Sequence, residues 1–247
     1  MRITTVLHRI GLRTIPSLLL ALAAGYAGAQ TPAPAPPAAA PTPPRPVVLL
    51  LQPGPFLPSD QREPVGGVID VTLTIPDAQT AADTPLLHIP YVVNDVETVA
   101  VTLKELTVRD SHGNVPLATR DVQKGGAKVR EWTSPREVNG DLVVHYQAPV
   151  DKAPVGKASA RRAPPPPPPP PPPHSLRTEG GGFTGGGSVF LLLPPGARPA
   201  PLALRWDLSK LGEGASATSD FGDGDVTLPV GSPERLWSVI FSAGPAR

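Results

Sequence analysis

The sequence predicts an all-β fold: a sandwich-like or open-barrel domain of short, mostly antiparallel strands, closed by one short C-terminal helix. Three observations carry this expectation. Apolar residues recur with a period of two in several short stretches, for example Val71, Leu73 and Ile75. Turn-forming clusters separate those stretches, among them Pro53-Gly54-Pro55 and Asp110-Ser111-His112-Gly113-Asn114. A helical pattern is confined to the last element, where Leu236, Trp237, Ile240 and Phe241 would share a face.

The first 29 residues have the make-up of an export signal. Arg2, Arg9 and Arg13 form a positive start, Ile15 to Ala24 an apolar run, and Ala27-Gly28-Ala29 a small-x-small cleavage pattern. Cleavage after Ala29 would leave Gln30 as the mature start, and the run is short for a spanning helix, the alternative being an N-terminal anchor. Removing the three arginines from the 22 basic residues leaves 19 against 21 acidic ones. That balance provides neither a nucleic-acid footprint nor a polybasic membrane patch. With no cysteine the folded part must stand on its core without disulfides. The expected location is periplasmic or secreted, with no membrane span after signal cleavage.

Residues 30–46 are almost entirely Pro, Ala and Thr, a composition that buries too little apolar surface to offset ordering, so a disordered Pro-rich linker is expected. A folded domain over 47–247 follows. Val47 to Leu51 is a short strand stopped at Pro53, and Val68 to Ile75 a second. Leu86 to Val93 is apolar but interrupted by Pro90, which predicts an edge strand or a bulge. Thr98 to Val108 alternates throughout and reads as one long strand. Val129 to Trp132 and Asp141 to Tyr146 read as a hairpin joined through Asn139-Gly140.

The strand pattern lapses over 152–175, which reads as a disordered loop. It includes ten consecutive prolines from Pro164 to Pro173, a rod of roughly 31 Å in the polyproline II form. Such a rod is either a ligand for an aromatic-lined groove or wall polymer, or a tolerated surface insertion. Next comes a glycine collar, Gly180-Gly-Gly-Phe183-Thr-Gly-Gly-Gly187, which feeds the apolar run Val189 to Leu193. The length of that run and its Pro194-Pro195 ending predict a strand buried on both faces, and Leu202 to Trp206 a half-buried neighbour. The helix would start with Ser232 as cap and Pro233 in the first turn.

Residues with catalytic potential are present but badly spaced. The five histidines are His8, His88, His112, His145 and His174; none sits in His-Glu-x-x-His, so no sequence-local zinc site is expected. His88 and His145 fall in strands and read as structural. Asp220, Asp223 and Asp225 lack the spacing and the bidentate glutamate of a calcium loop and read as a solvated turn. Gly180-x-Gly182-x-x-Gly185 leads into a strand, leaving no helix N-terminus for a pyrophosphate. No Gly-x-Ser-x-Gly or phosphate-loop pattern occurs, and a Ser-His-Asp triad finds no support in spacing. No cofactor is expected. The residues placed to meet a partner or substrate are Arg177, Glu179 and Phe183, on a pliable collar beside a rigid strand. The alternative is that Phe183 plugs the core while the two charges pair.

Several of these pieces resemble the N-terminal β domain of the M61 glycyl-aminopeptidase family and its exported bacterial relatives. They are Leu86-Leu-His-Ile-Pro90, Leu106-Thr-Val-Arg-Asp110 with Ser-His-Gly113, Arg130-Glu-Trp132, Gly140 to Tyr146, and Leu176-Arg-Thr-Glu-Gly-Gly-Gly-Phe-Thr-Gly185. Val189-Phe-Leu-Leu-Leu-Pro194, Leu204-Arg-Trp-Asp-Leu-Ser209, the turn Ser219 to Asp225 and Phe241-Ser-Ala-Gly-Pro245 extend the resemblance, which runs from about Val65 onward. It implies a β module that packs against a zinc-bearing peptidase domain and helps wall its substrate cleft. The chain departs from that family in stopping at Arg247, where the catalytic domain would begin. It also shows Tyr91-Val-Val-Asn-Asp where many members carry Trp-x-Pro-Gly-x-Tyr, and it carries the proline insertion. No zinc ligand or general base transfers to a position here. The expected function is therefore a non-catalytic, exported accessory or substrate-cleft module, or a truncated or split remnant, with a peptidase catalytic domain or a peptide as partner. The alternatives are a stand-alone envelope-binding or structural protein and a peptidase-related enzyme with an unrecognised site.

Overall fold

The strand ladder of the largest sheet begins where the apolar pattern begins, at Val47. A computed structural model describes residues 44–56, 65–152 and 174–245, all within one unit spanning Thr42–Arg247. The export signal, residues 30–43 of the linker and the proline run lie outside the described residues.

In chain order the elements are β1 (Val47–Phe56), β2 (Val65–Thr80), β3 (Pro85–Pro90), β4 (Val92–Val93), β5 (Val96–Glu97) and β6 (Lys104–Asp110). Then come β7 (Gly113–Asn114), β8 (Ala118–Lys124), β9 (Ala127–Thr133), β10 (Val138–Asp151), β11 (Arg177–Glu179) and β12 (Gly182–Gly186). A single helical turn, α1 (Gly187–Phe190), precedes β13 (Ala200–Trp206), β14 (Ser216–Ser219), β15 (Gly222–Asp223), β16 (Val226–Gly231) and β17 (Ile240–Gly244). The fold is all-β, as the alternating stretches imply.

Twelve strands form one sheet along the path β15-β14-β17-β12-β11-β10-β2-β1-β13-β16, with β6 and β7 branching from β10. The two ends of that path, β15 and β16, are separated in sequence only by Gly224 and Asp225, so the sheet must curl until its edges nearly meet. The seam is fastened by Asp225, whose carboxylate accepts the Trp206 amide at 2.9 Å, and by the Gly224 amide, which donates to the Ala217 carbonyl at 2.8 Å. Most pairings are antiparallel, but β1 runs parallel to β13, with Val47 opposite Leu202 and Leu51 opposite Trp206. Along β10, Leu142, Val144, Tyr146 and Ala148 face the core while Val143, His145 and Gln147 face outward, the period expected of a half-buried strand.

A second sheet, β3-β9-β8, packs over this barrel. β3 lies at its edge and ends at Pro90, in line with the missing amide donor there. Between the sheets run Val189 to Leu193, each at most 1 % exposed.

Four local expectations are corrected. The apolar run Val189 to Leu193 is buried on all sides but is not a strand: it is half helical turn, half extended. Its backbone is satisfied from outside the ladder. Tyr146 Oη donates to the Phe190 carbonyl at 2.8 Å and accepts the Leu192 amide at 3.1 Å. Val99 and His88 donate their amides to Val189 and Leu193. Second, β9 does not pair with β10. It is joined to β8 through Gly125-Gly126 and to β3, and Asn139-Gly140 sits inside β10 at a register shift against β2. The Gly-Gly turn, with both residues at positive φ, took the hairpin role. Third, the alternating stretch from Thr98 starts as a turn, because the Thr98 hydroxyl accepts the Ala100 amide and the Val99 carbonyl accepts Thr102 and Leu103; the strand begins at Lys104. Fourth, the C-terminal helix is one stretch of 3-10 helix, Pro233–Ser238. Ser232 does cap it, accepting from the Glu234 amide at 3.2 Å, but Ile240 and Phe241 belong to β17, held between β12 and β14.

Candidate functional site

The glycine collar is a tight hairpin. β11 and β12 turn at Gly180 and Gly181, both at positive φ, and β12 then lies so close to β17 that a Cβ on Gly182 would stand 1.9 Å from the Ala243 carbonyl oxygen. Glycine is needed there for backbone approach rather than for pliability.

This packing decides where the three predicted site residues point. Phe183 is 2 % exposed and stacks within an aromatic cluster, 6.5 Å from Phe190 and 6.4 Å from Trp206 between ring centroids. Arg177 pairs with Glu179 at 3.4 Å and also donates to the carbonyl and hydroxyl of Ser175. Of the two readings of the collar, the structure therefore has the one in which Phe183 plugs the core and Arg177 pairs with Glu179, the turn itself staying exposed. Of the three side chains only that of Glu179 remains well exposed, at 58 %, and it borders a polar cleft of about 580 Å³ with Thr184, Thr218, Asp223 and Ser242.

Asp110, Ser111 and His112 bring an acid, a hydroxyl and an imidazole into one turn. The geometry forbids a relay. Ser111 Oγ lies 3.3 Å from His112 Nδ1 and the Asp110 carboxylate 3.9 Å from the same nitrogen, so no second ring nitrogen links base to orienter. The Ser111 hydroxyl donates to the Asn139 carbonyl instead. The Asp110 side chain is covered and held by Arg136 through two hydrogen bonds of 2.6 and 2.8 Å, which keep its carboxyl well below the ordinary range.

His145 sits beside the Thr72 hydroxyl at 3.2 Å. His88 packs edge-on against Trp237, 4.9 Å between centroids, with its Nδ1 buried and unpartnered among the described residues. Burial, seconded by the Lys124 charge, lowers its basicity, against smaller opposing effects of Glu234 and Glu131. The acidic turn serves the backbone: Asp220 accepts the Ile240 amide and Asp225 that of Trp206. Among the described residues no group of three or more His, Cys, Asp or Glu is placed to hold a metal ion.

A second cleft, of about 530 Å³, opens between the segment 96–104, the end of β10 and the residues just before β11. Val99, Leu176 and Val189 line its apolar part, and Glu97, Lys104 and Asp151 its polar part. Burial and, next, the charge of Glu97 push the Asp151 carboxyl above its ordinary value. Nothing in the sequence marks this pair, since Glu97 and Asp151 are far apart along the chain and share only the lining of this cleft.

No protein-family model and no curated protein sequence matches the chain. Solved structures that it resembles include an aminopeptidase N family protein from Idiomarina loihiensis, at 13 % identity and a TM-score of 0.48, covering 80 % of this chain and 29 % of that one. An M1 zinc metallopeptidase from Deinococcus radiodurans gives 20 % identity and a TM-score of 0.33 over 82 % of this chain and 42 % of that one. A variant of the same enzyme gives 19 % identity and a TM-score of 0.35, with the same coverage. The chain therefore spans less than half the length of each of these. With TM-scores below 0.5, these likenesses assign neither family nor activity.

Proposed function

We propose that this chain is a non-catalytic β module of the M61 peptidase type, exported to the periplasm or beyond, whose role is to pack against a peptidase catalytic domain and help form the wall of its substrate cleft. One observation supports the relationship more than any other. The sequence pieces that resemble the M61 N-terminal domain come from separate parts of the chain, yet they meet in one aromatic cluster. Phe183 of the collar, Phe190 of the Leu-Pro run, Trp206 of the Arg-Trp-Asp strand and Phe241 of the closing segment stand 5.7 to 6.5 Å from one another in successive pairs. A resemblance carried by residues that touch is a resemblance of one packed unit. The non-catalytic part of the reading rests on sequence, in which no zinc-ligand motif occurs.

The test is metal analysis and turnover on the purified chain. Zinc well below one equivalent, and no chelator-sensitive release of N-terminal amino acids from aminoacyl nitroanilides, is the expected result. Stoichiometric zinc together with such turnover overturns the reading. Export is checked separately by N-terminal sequencing of the periplasmic or secreted form, which should start at Gln30.

A further inference from the structure

We infer that the cleft between residues 96–104 and the end of β10 is a binding site for an alkylammonium group, with Glu97 and Asp151 taking the charge and Val99, Leu176 and Val189 taking the aliphatic stem. This assignment is independent of the peptidase-related reading. The volume, about 530 Å³, falls in the range of small-ligand sites. The apolar side is preformed: Val99, Leu176 and Val189 are 4 %, 8 % and 1 % exposed, and the Val99 amide is fixed to the Val189 carbonyl at 2.8 Å.

The charged side is acidic on balance, Glu97 and Asp151 against Lys104. Glu97 and Asp151 are close enough for one to raise the carboxyl of the other, and among the described residues neither has a hydrogen-bond or ion-pair partner. Of the nearby basic groups, one is engaged elsewhere and one is set back along the strand. Arg177, opposite Asp151 in the β10–β11 pairing, is held by Ser175 and Glu179. Lys104 lines the cleft, but its backbone is aligned with Gln147, four residues back along β10 from Asp151, hence roughly 13 Å from Asp151 along the strand. Two like charges left side by side next to an apolar wall are relieved by an ammonium whose stem covers that wall. The ammonium comes either from a lysine side chain in a peptide or from a free alkylamine.

Three probes in NMR titrations of the full chain test this: acetyl-Leu-Lys-Leu-amide, its norleucine counterpart, and hexylamine. Saturable shifts at the methyl groups of Val99, Leu176 and Val189 with the lysine peptide or hexylamine are expected. The norleucine peptide should bind about tenfold more weakly than the lysine peptide. Tighter binding of the lysine peptide than of hexylamine assigns a peptide source, and the reverse order a free amine; either supports the site. Combined Glu97→Gln and Asp151→Asn substitution, both near-isosteric, should weaken lysine-peptide binding about tenfold with the melting temperature not lowered. Equal affinity for the lysine and norleucine peptides, shifts that map elsewhere, or affinity indifferent to the double substitution overturns the assignment.

Discussion

Tyr146 carries more structural responsibility than its polar atom count suggests. Its side chain is fully buried on β10, and its hydroxyl closes both an open carbonyl at Phe190 and an open amide at Leu192. Tyr146→Phe would leave two buried backbone groups unpaired. The expected loss is about 2–4 kcal/mol, read as a lower urea midpoint at unchanged m-value. Asp110 is the charged analogue, receiving Arg136 and the amides of His112 and Asn139. Because its folded pKa is depressed, its contribution is present above the unfolded value of about 4 and disappears as pH falls from there toward the folded value. Wild-type protein should therefore lose stability steeply below about pH 4, and Asp110→Asn, less stable at neutral pH, should show a flatter acid limb in thermal melts. The turn around Asp110 was readable from Asp-Ser-His-Gly-Asn. Its dependence on Arg136 was not, because an ion pair across sheet strands leaves no mark in local sequence.

At the scale of elements, backbone contact replaces side-chain packing at two glycines. A Cβ on Gly182 would meet the Ala243 oxygen at 1.9 Å, and one on Gly187 the Leu236 oxygen at 2.1 Å. Alanine at either position should cost about 2–3 kcal/mol, because neither opposing group is a side chain free to move. Gly125→Ala, in a turn with open space and φ of 56°, should cost roughly 1 kcal/mol, from the left-handed backbone alone. Urea unfolding of the three variants separates the two causes. The 3-10 stretch leans on His88 through Trp237, whose indole donates to the Leu191 carbonyl at 2.9 Å. Since burial lowers the His88 pKa below its unfolded value near 6.5, the neutral ring stabilises fully above that pH. The stability is lost as pH falls through the folded value. His88→Gln should remove that part of the slope below about pH 6.5, followed by tryptophan fluorescence. Sequence period fixed the strands that alternate, such as β2 and β10. It misassigned Val189 to Leu193 because an unbroken apolar run reads alike whether helical or extended. It also preferred Asn139-Gly140 over Gly125-Gly126 because turn chemistry says nothing about which sheet a strand joins.

For the whole molecule, the class and the curved sheet were legible, whereas the second sheet and both clefts were not. A cleft is made where elements distant in sequence cross, and Glu97 with Asp151 is such a place. The same limit applies to Phe183. Glycines on both sides announced freedom, while the approach of β17, beyond the reach of local pattern, put the ring in the core. At this scale the M61-type reading makes its prediction through zinc content and turnover, and the cleft through its preference for ammonium over a neutral isostere.

The parallel seam between β1 and β13 has a kinetic consequence. Val47 to Leu51 acquire one neighbour promptly, from β2, and the other only after Trp206 has been synthesised and placed. Until then one flank of a leucine-rich ribbon is an open template for a second nascent chain. Refolding should accordingly take milliseconds to seconds or longer, and its yield in dilution experiments should drop as protein concentration rises. The order of arrival along the polypeptide, as much as the finished contacts, sets how safely this barrel is made.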